Sequence, residues 1–484
     1  MILNLHQKAV LPNLDKYDWL LLFFVVIACS TYMLTTSILL ITLLQLLLIA
    51  KAFYSRKCHT KSLKEIITAL FMGAEVALFL ISIVYLTSSI AFRSKTFFLK
   101  RNAALLVLTI YSFCVFILSS IHEFLPLNYA LWLMIFLGGF TIYLYAQENH
   151  QQETSFNNLK FFLFALIAIQ FLFLLIQGAL VGSYSPGDWA LGTFMDAHKL
   201  GFVLMFFAIY LSFDFKESPS IQFALLIPVS LIFLYVCDAK AVLLSGILSA
   251  ALLIILSATN FSIGRRLINR TAAIYSLIIL IIFTFIIASF NSYEKVWEDF
   301  LDIYAYGTFT SSKYQMYGKV WGQMLHDSPF NWAVGVGPGE MASKASNMLS
   351  GDVLWKREGG LASLLPSFSS SWTKTYMLGL FDHDVAAMIP HVSAVLAYPF
   401  AGFISIKAEL GLIGLILYSY VFYRVLTNSL TNKNTVLDKT LIFMGVTLYI
   451  SLLFDNYHEQ IPIIGLYMLI LGLNEKKPLQ REIV

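Results

Sequence analysis

The chain has 484 residues, 58% of them hydrophobic and only 12% charged, with a mean hydropathy of +0.76. A soluble domain of that size cannot hide so much apolar surface, so the composition excludes an ordinary globular protein and points to an all-α polytopic membrane protein. The formal charge of +4 is small; its placement says more than its size, and no nucleic-acid partner is expected.

The N-terminus shows no cleavable signal pattern. The first apolar run, Trp19 to Ala50, is too long for a signal core and has no small-residue cleavage site after it. A hydrocarbon layer about 30 Å thick needs about 20 apolar residues per helix. The first run is therefore expected to hold one or two helices, turning near Ser30–Ser37. Further spans are expected at 66–92, 103–121, 127–146, 159–181, 199–215, 220–237, 241–258 and 272–290, then at 401–424, 438–454 and 461–473. About 12–13 transmembrane helices result. They divide the chain into an N-terminal membrane region (1–290), one large and mainly helical loop (291–400), and a C-terminal membrane region with a short tail (401–484).

Arg265, Arg266 and Arg270, then Arg424, Lys433 and Lys439, then Lys476, Lys477 and Arg481 fall on one face if the spans alternate, and the 93–102 connector joins them. The positive-inside rule makes that face cytoplasmic and puts 291–400 outside, on the periplasmic side of a bacterial inner membrane. The connector 51–64, with Lys51, Arg56, Lys57, Lys61 and Lys64, breaks this alternation, so the parity of the N-terminal helices stays open. The four cysteines (Cys29, Cys58, Cys114, Cys237) all lie outside the large loop, which leaves it to be held by packing. Five of the eight tryptophans (Trp297, Trp321, Trp332, Trp355, Trp372) lie in it, fit either for the membrane interface or for stacking on sugar rings. Tyr314–Leu325 reads as amphipathic helix lying on the membrane.

Three short stretches on the outer face carry the motifs. Gly335-Val-Gly337-Pro-Gly339-Glu-Met341 lies in the loop, Ala408-Glu409-Leu-Gly411-Leu-Ile-Gly414 opens the first span after it, and Asp238-Ala-Lys240 stands at the mouth of an earlier span. In their order and topology, over about residues 160–470, they resemble the O-antigen ligase and O-antigen polymerase superfamily. The resemblance implies a membrane glycosyltransferase that takes glycans from an undecaprenyl-diphosphate-linked donor. Phe400-Ala401 stands where ligases of that superfamily typically have a His-Asn pair, and the nearest histidine is His391.

The chemistry can also be read from residue types. Departure of a diphosphate needs fixed positive charge, for which Lys240, Lys199, Lys313 and Arg357 are the candidates. A histidine, His391, could take the proton of the accepting hydroxyl. No metal or other cofactor is required, because the leaving group is already activated. Each candidate has a plainer alternative. Lys240 could snorkel to headgroups, His391 could cap a helix, and Lys199 and His198 share that ambiguity. Gly335, Gly337 and Gly339 could cradle a phosphate or serve a tight turn beneath the loop, and Glu409 could pack helices through a hydrogen bond. Glu75, deep within an expected span, must be protonated, paired or facing water.

A polymerase that joins lipid-linked repeats is the leading expectation, since the His-Asn pair of a ligase is missing. A ligase acting on lipid A-core or on a protein hydroxyl, and a lipid-linked oligosaccharide flippase, are the alternatives. The partners implied are the lipid-linked glycan, the bilayer and, as an open addition, a chain-length regulator.

Overall fold

The computed structural model describes residues 14–35, 38–54, 60–72, 76–92, 103–151, 156–184, 189–194, 196–217, 221–237, 239–258, 312–349, 368–377, 401–430 and 435–474. Every regular element among them is helical. Four helices are long and apolar enough to cross a bilayer: Pro126–Glu148, Leu159–Val181, Ala197–Glu217 and Gly402–Ser429. Shorter apolar helices, among them Ala103–Ser119, Lys240–Ile255 and Ile461–Asn474, pack beside them. The first apolar run divides as expected, into Lys16–Thr35 and Ile38–Tyr54.

Side-chain contacts sort the helix ends into two groups. At one end Lys160 pairs with Asp214 at 2.8 Å and Lys439 with Glu217 at 2.8 Å, while Asn474 donates to Asp438 at 2.7 Å. Lys64 pairs with Asp18 there and lies 5.6 Å from the Phe162 ring. At the opposite end Asn128 donates to the carbonyl of Gly339, and the backbone N–H groups of Gly402 and Phe403 reach the carbonyls of Asp455 and Leu452. The glycine loop and the turn before the last helix therefore share an end.

One expected span is corrected. Residues 66–92 do not form a single crossing. Thr60–Phe71 enters from the Lys64 end, and Val76–Phe79 with Ile81–Phe92 leads back to it. The return is fixed by Tyr85 donating to Glu148 at 2.9 Å and by the Tyr54 and Thr87 hydroxyls 2.9 Å apart. Residues 62–71 are all buried, including Lys64 and Glu65, whose charges meet Asp18 and Lys51. The end of the first arm, Ile66–Phe71, is apolar and adjoins the apolar Val76–Phe92 along the chain, which is why hydropathy merges the two arms. Its last carbonyls end inside protein and are satisfied there: Gln45 donates to Ala69 O and Thr193 to Phe71 O. Because the chain enters and returns, Lys51 and Thr87 lie at one end, and the basic connector 51–64 no longer breaks the alternation. Glu75 lies outside the described residues.

Thr193→Val should remove one such cap, leaving a buried carbonyl without its donor. A loss of about 1–3 kcal/mol is expected, read as a lower melting temperature of the purified protein. An unchanged melting curve would show that the entering arm does not depend on this contact.

Candidate functional site

The glycine motif within the large loop and the Glu409 motif just after it interlock. Gly402–Ser429 is continuous except at Gly411, whose φ of 70° and ψ of −174° break the helix. The carbonyls of the turn before that break accept from outside the helix. Ala408 O takes the N–H of Val336 at 3.0 Å, Glu409 O that of Gly337 at 3.1 Å, and Leu410 O lies 3.0 Å from the Tyr111 hydroxyl. The same hydroxyl is 2.9 Å from Val334 O.

Backbone meets backbone here. A Cβ on Gly335 would stand 2.2 Å from Glu409 O, and one on Gly411 would stand 2.2 Å from Ala333 O. Gly335 also has φ 107°, a region that L side chains rarely adopt. The two glycines thus permit the approach of loop to helix.

The Glu409 carboxylate then organises the loop. It is fully buried, and its Oε2 accepts from Gly339 N–H at 2.9 Å. Its Oε1 accepts from the N–H groups of Met341, Ala342 and Ser343 at 3.2, 3.2 and 3.0 Å. The next amide, Lys344 N–H, goes to Glu459 Oε2 at 2.6 Å, which Asn456 also meets through Nδ2 at 2.6 Å. A run of loop amides of the kind that cradles phosphates is therefore filled by the protein's own carboxylates.

Around these carboxylates lies a layer of buried charge. Burial first, then the charges of Glu409 and Glu123, push Glu340 up to about 8, with Ser119 opposing. Burial, together with Glu409, likewise raises Glu459 to about 8, against hydrogen bonds and the Lys344 charge. Lys344 is pushed down to about 7 by burial, opposed by Glu459, and its ammonium lies 5.1 Å from the centre of the Phe79 ring. Burial holds His458 neutral, at about 3. Its Nε2 is 3.4 Å from Ser405 Oγ and 3.6 Å from Glu459 Oε1, while its Nδ1 has no hydrogen-bond partner. Such a layer can hold protons near neutral pH and keeps the loop fixed to the C-terminal helices.

The sequence-based candidates separate accordingly. Gly335, Gly337, Gly339 and Glu409 come together, as a turn and its internal anion. Lys199 and His198 stand at the same end, at the start of Ala197–Glu217, where Asp196 Oδ1 accepts both their backbone N–H groups. The Lys199 ammonium pairs with Asp196 at 3.4 Å. Phe202, one turn on, lies 5.9 Å from the Tyr457 ring, which brings these residues to the 455–460 turn. Lys240 begins the neighbouring helix, half-buried, next to Ala239 that packs on Gly201. Lys313 lies on Ser312–Tyr317, although the course of its side chain is outside the description, and His391 and Arg357 lie outside the described residues.

Sequence reasoning passed over Lys344, Lys407 and the run Asp455-Asn456-Tyr457-His458-Glu459-Gln460. A signal was available, because five of those six residues are polar and they join two apolar segments on the motif-bearing face. Lys407 is fully buried with its ammonium 4.2 Å from the Trp332 ring and 5.5 Å from Trp321, donating to Trp332 O.

No protein-family model, curated protein or solved structure matches the chain.

Proposed function

We propose that the protein is a glycosyltransferase of the bacterial inner membrane that polymerises lipid-linked oligosaccharide repeats on the periplasmic face. One observation carries this reading. Two of the three stretches on which the resemblance rests, separated by some seventy residues of chain, are built into one another through Glu409 and the close backbone approach at Gly335 and Gly411. Lys199 and Lys240 stand at the same end of the helices, as a lipid-diphosphate donor held in the bilayer requires.

In this reading the hydroxyl oxygen of the acceptor repeat forms a bond to the anomeric carbon of the donor as the bond from that carbon to the diphosphate oxygen breaks. The proton passes to His391, and the charge left on the diphosphate is met by Lys240, Lys313 and Arg357. Lys199 already faces Asp196, so its part is to hold local charge balance until the anion arrives.

A deletion strain tests the proposal. Lipopolysaccharide core capped with a single repeat is the result expected of a lost polymerase. Full-length polymer stranded on the lipid carrier with bare core would make the protein a ligase, and loss of every surface repeat would make it a flippase. In the complemented strain His391→Ala should abolish chain lengthening while the protein is still made, and Lys240→Arg should lengthen chains better than Lys240→Ala. Normal banding in the His391 variant would remove that residue from the chemistry.

A further inference from the structure

The helices within the large loop carry a surface that the proposed reaction does not use. Met316, Val320 and Met324 point inward, into a small apolar core with Val336, Met341 and Ala408. The outward side of the same segment is also apolar in part. Trp321 is 36% exposed, Leu325 44% and Phe330 61%. In a loop standing free in water these side chains would form an unfavourable patch.

Their depth is fixed by Tyr111. Its hydroxyl holds Val334 O, one helical turn beyond Phe330, and it sits in the middle of Ala103–Ser119. That helix exposes Ile110 (53%) and Phe113 (51%) on either side of Tyr111, and the exposed apolar stripe continues outward through Ile117, Ile121 and Phe124. A side chain anchored between residues that face lipid must itself lie within the lipid-facing zone. Phe330 is therefore held near the level of that exposed apolar stripe. Nearer the edge, the Tyr317 hydroxyl donates to the carbonyl of Leu453, another exposed apolar residue. Lys407 closes the inner side. Its fully buried ammonium lies 4.2 Å from the centre of the Trp332 ring and 5.5 Å from that of Trp321.

We infer that the loop segment Ser312–Val334 is sunk into the headgroup–acyl boundary of the bilayer, with Trp321, Leu325 and Phe330 in contact with lipid. The partner is the lipid surface itself, chosen because Tyr111, set within the exposed apolar stripe of Ala103–Ser119, holds Val334 at the end of the same segment. Polar groups on the same segment sit where water or headgroups would be. His326 is almost fully exposed, and Lys319 leans across to donate to Tyr376 O at 2.8 Å. This arrangement is that of an interfacial amphipathic segment.

The test uses the full chain in lipid nanodiscs, with Cys29, Cys58, Cys114 and Cys237 replaced by alanine and Phe330→Cys carrying a bimane label. Lipids brominated along the acyl chain should lower the label's emission about twofold against unbrominated lipid, while iodide in the buffer should leave it nearly unchanged. A label at His326→Cys should respond to iodide in the same particles. Leu325→Cys provides a second position with the same expectation if the Phe330 variant does not fold. Quenching of the Phe330 or Leu325 label by iodide and not by bromolipid would overturn the inference. So would shielding from both quenchers, which would mean that a second copy or another segment of the chain covers the patch, or quenching that is relieved by added oligosaccharide, which would assign the patch to glycan.

Discussion

Glu409→Leu is expected to release the loop from the C-terminal helix. Leucine is close in size but accepts no hydrogen bond, so the N–H groups of Gly339, Met341, Ala342 and Ser343 would lose their acceptor inside protein. Each buried donor left unmet costs about 1–3 kcal/mol, so the sum is on the order of 4 kcal/mol or more. Glu409→Gln provides the graded control. An amide can keep the oxygen that serves Met341, Ala342 and Ser343, but it turns a second donor towards Gly339, so about one bond is lost rather than four. The measurable order is wild type, then Gln, then Leu, both in melting temperature and in resistance of residues 335–343 to a protease added to purified protein. Chain lengthening by the complemented strain should follow the same order. A Leu variant with wild-type melting and wild-type protection would show that the loop is held by something other than this carboxylate.

The residues behind that prediction show where sequence reading reaches and where it stops. Gly335, Gly337, Gly339 and Glu409 are visible as motifs because glycine and a carboxylate are unusual at the rim of an apolar span. That the glycine amides close on Glu409 is not visible, since the partners are backbone groups some seventy positions away and any residue type supplies an N–H. The Thr60–Phe92 arms fail for a different reason. Hydropathy reads composition along the chain, and the apolar end of the first arm, Ile66–Phe71, adjoins the apolar second arm; only the contacts of their outer ends reveal the turn, through Lys64 on Asp18 and Tyr54 beside Thr87. By contrast the division of the first run into Lys16–Thr35 and Ile38–Tyr54 follows from length alone, because a run of that size exceeds one bilayer thickness. The 455–460 turn is legible in principle, because its polar residues lie between two apolar segments on the face that carries the motifs.

Glu340 gives the second large effect, and it lies in the pH dependence. Its carboxyl is buried beside Glu409, and its Oε1 has no hydrogen-bond partner. Burial and the neighbouring charges of Glu409 and Glu123 outweigh the opposing Ser119 hydroxyl and favour the protonated acid. With its pKa raised from 4.5 to about 8, folded protein binds more protons than unfolded chain between those values. Stability should therefore be fully present below about 4.5 and fall as pH rises towards about 8. Glu459 adds a fall of the same sign over the same window. Lys344 acts oppositely. Its pKa is lowered from 10.5 to about 7, so it binds fewer protons when folded and favours stability as pH rises from 7 towards 10.5. The wild-type protein should accordingly be least stable near pH 7 to 8. Glu340→Gln keeps the shape of the protonated acid without its titration. Relative to wild type the variant should match at pH 5 and melt higher at pH 8, by the equivalent of a few kcal/mol, with a shallower fall to which Glu459 still contributes. Adding Glu459→Gln should remove the second fall as well and uncover the rises that belong to His458, up to about pH 6.5, and to Lys344, above about pH 7. Melting temperatures in nanodiscs from pH 5 to pH 9 decide the matter. If the Glu340→Gln protein keeps the full wild-type slope, the proton is held elsewhere, and the charge layer between the glycine loop and the 455–460 turn does not carry it.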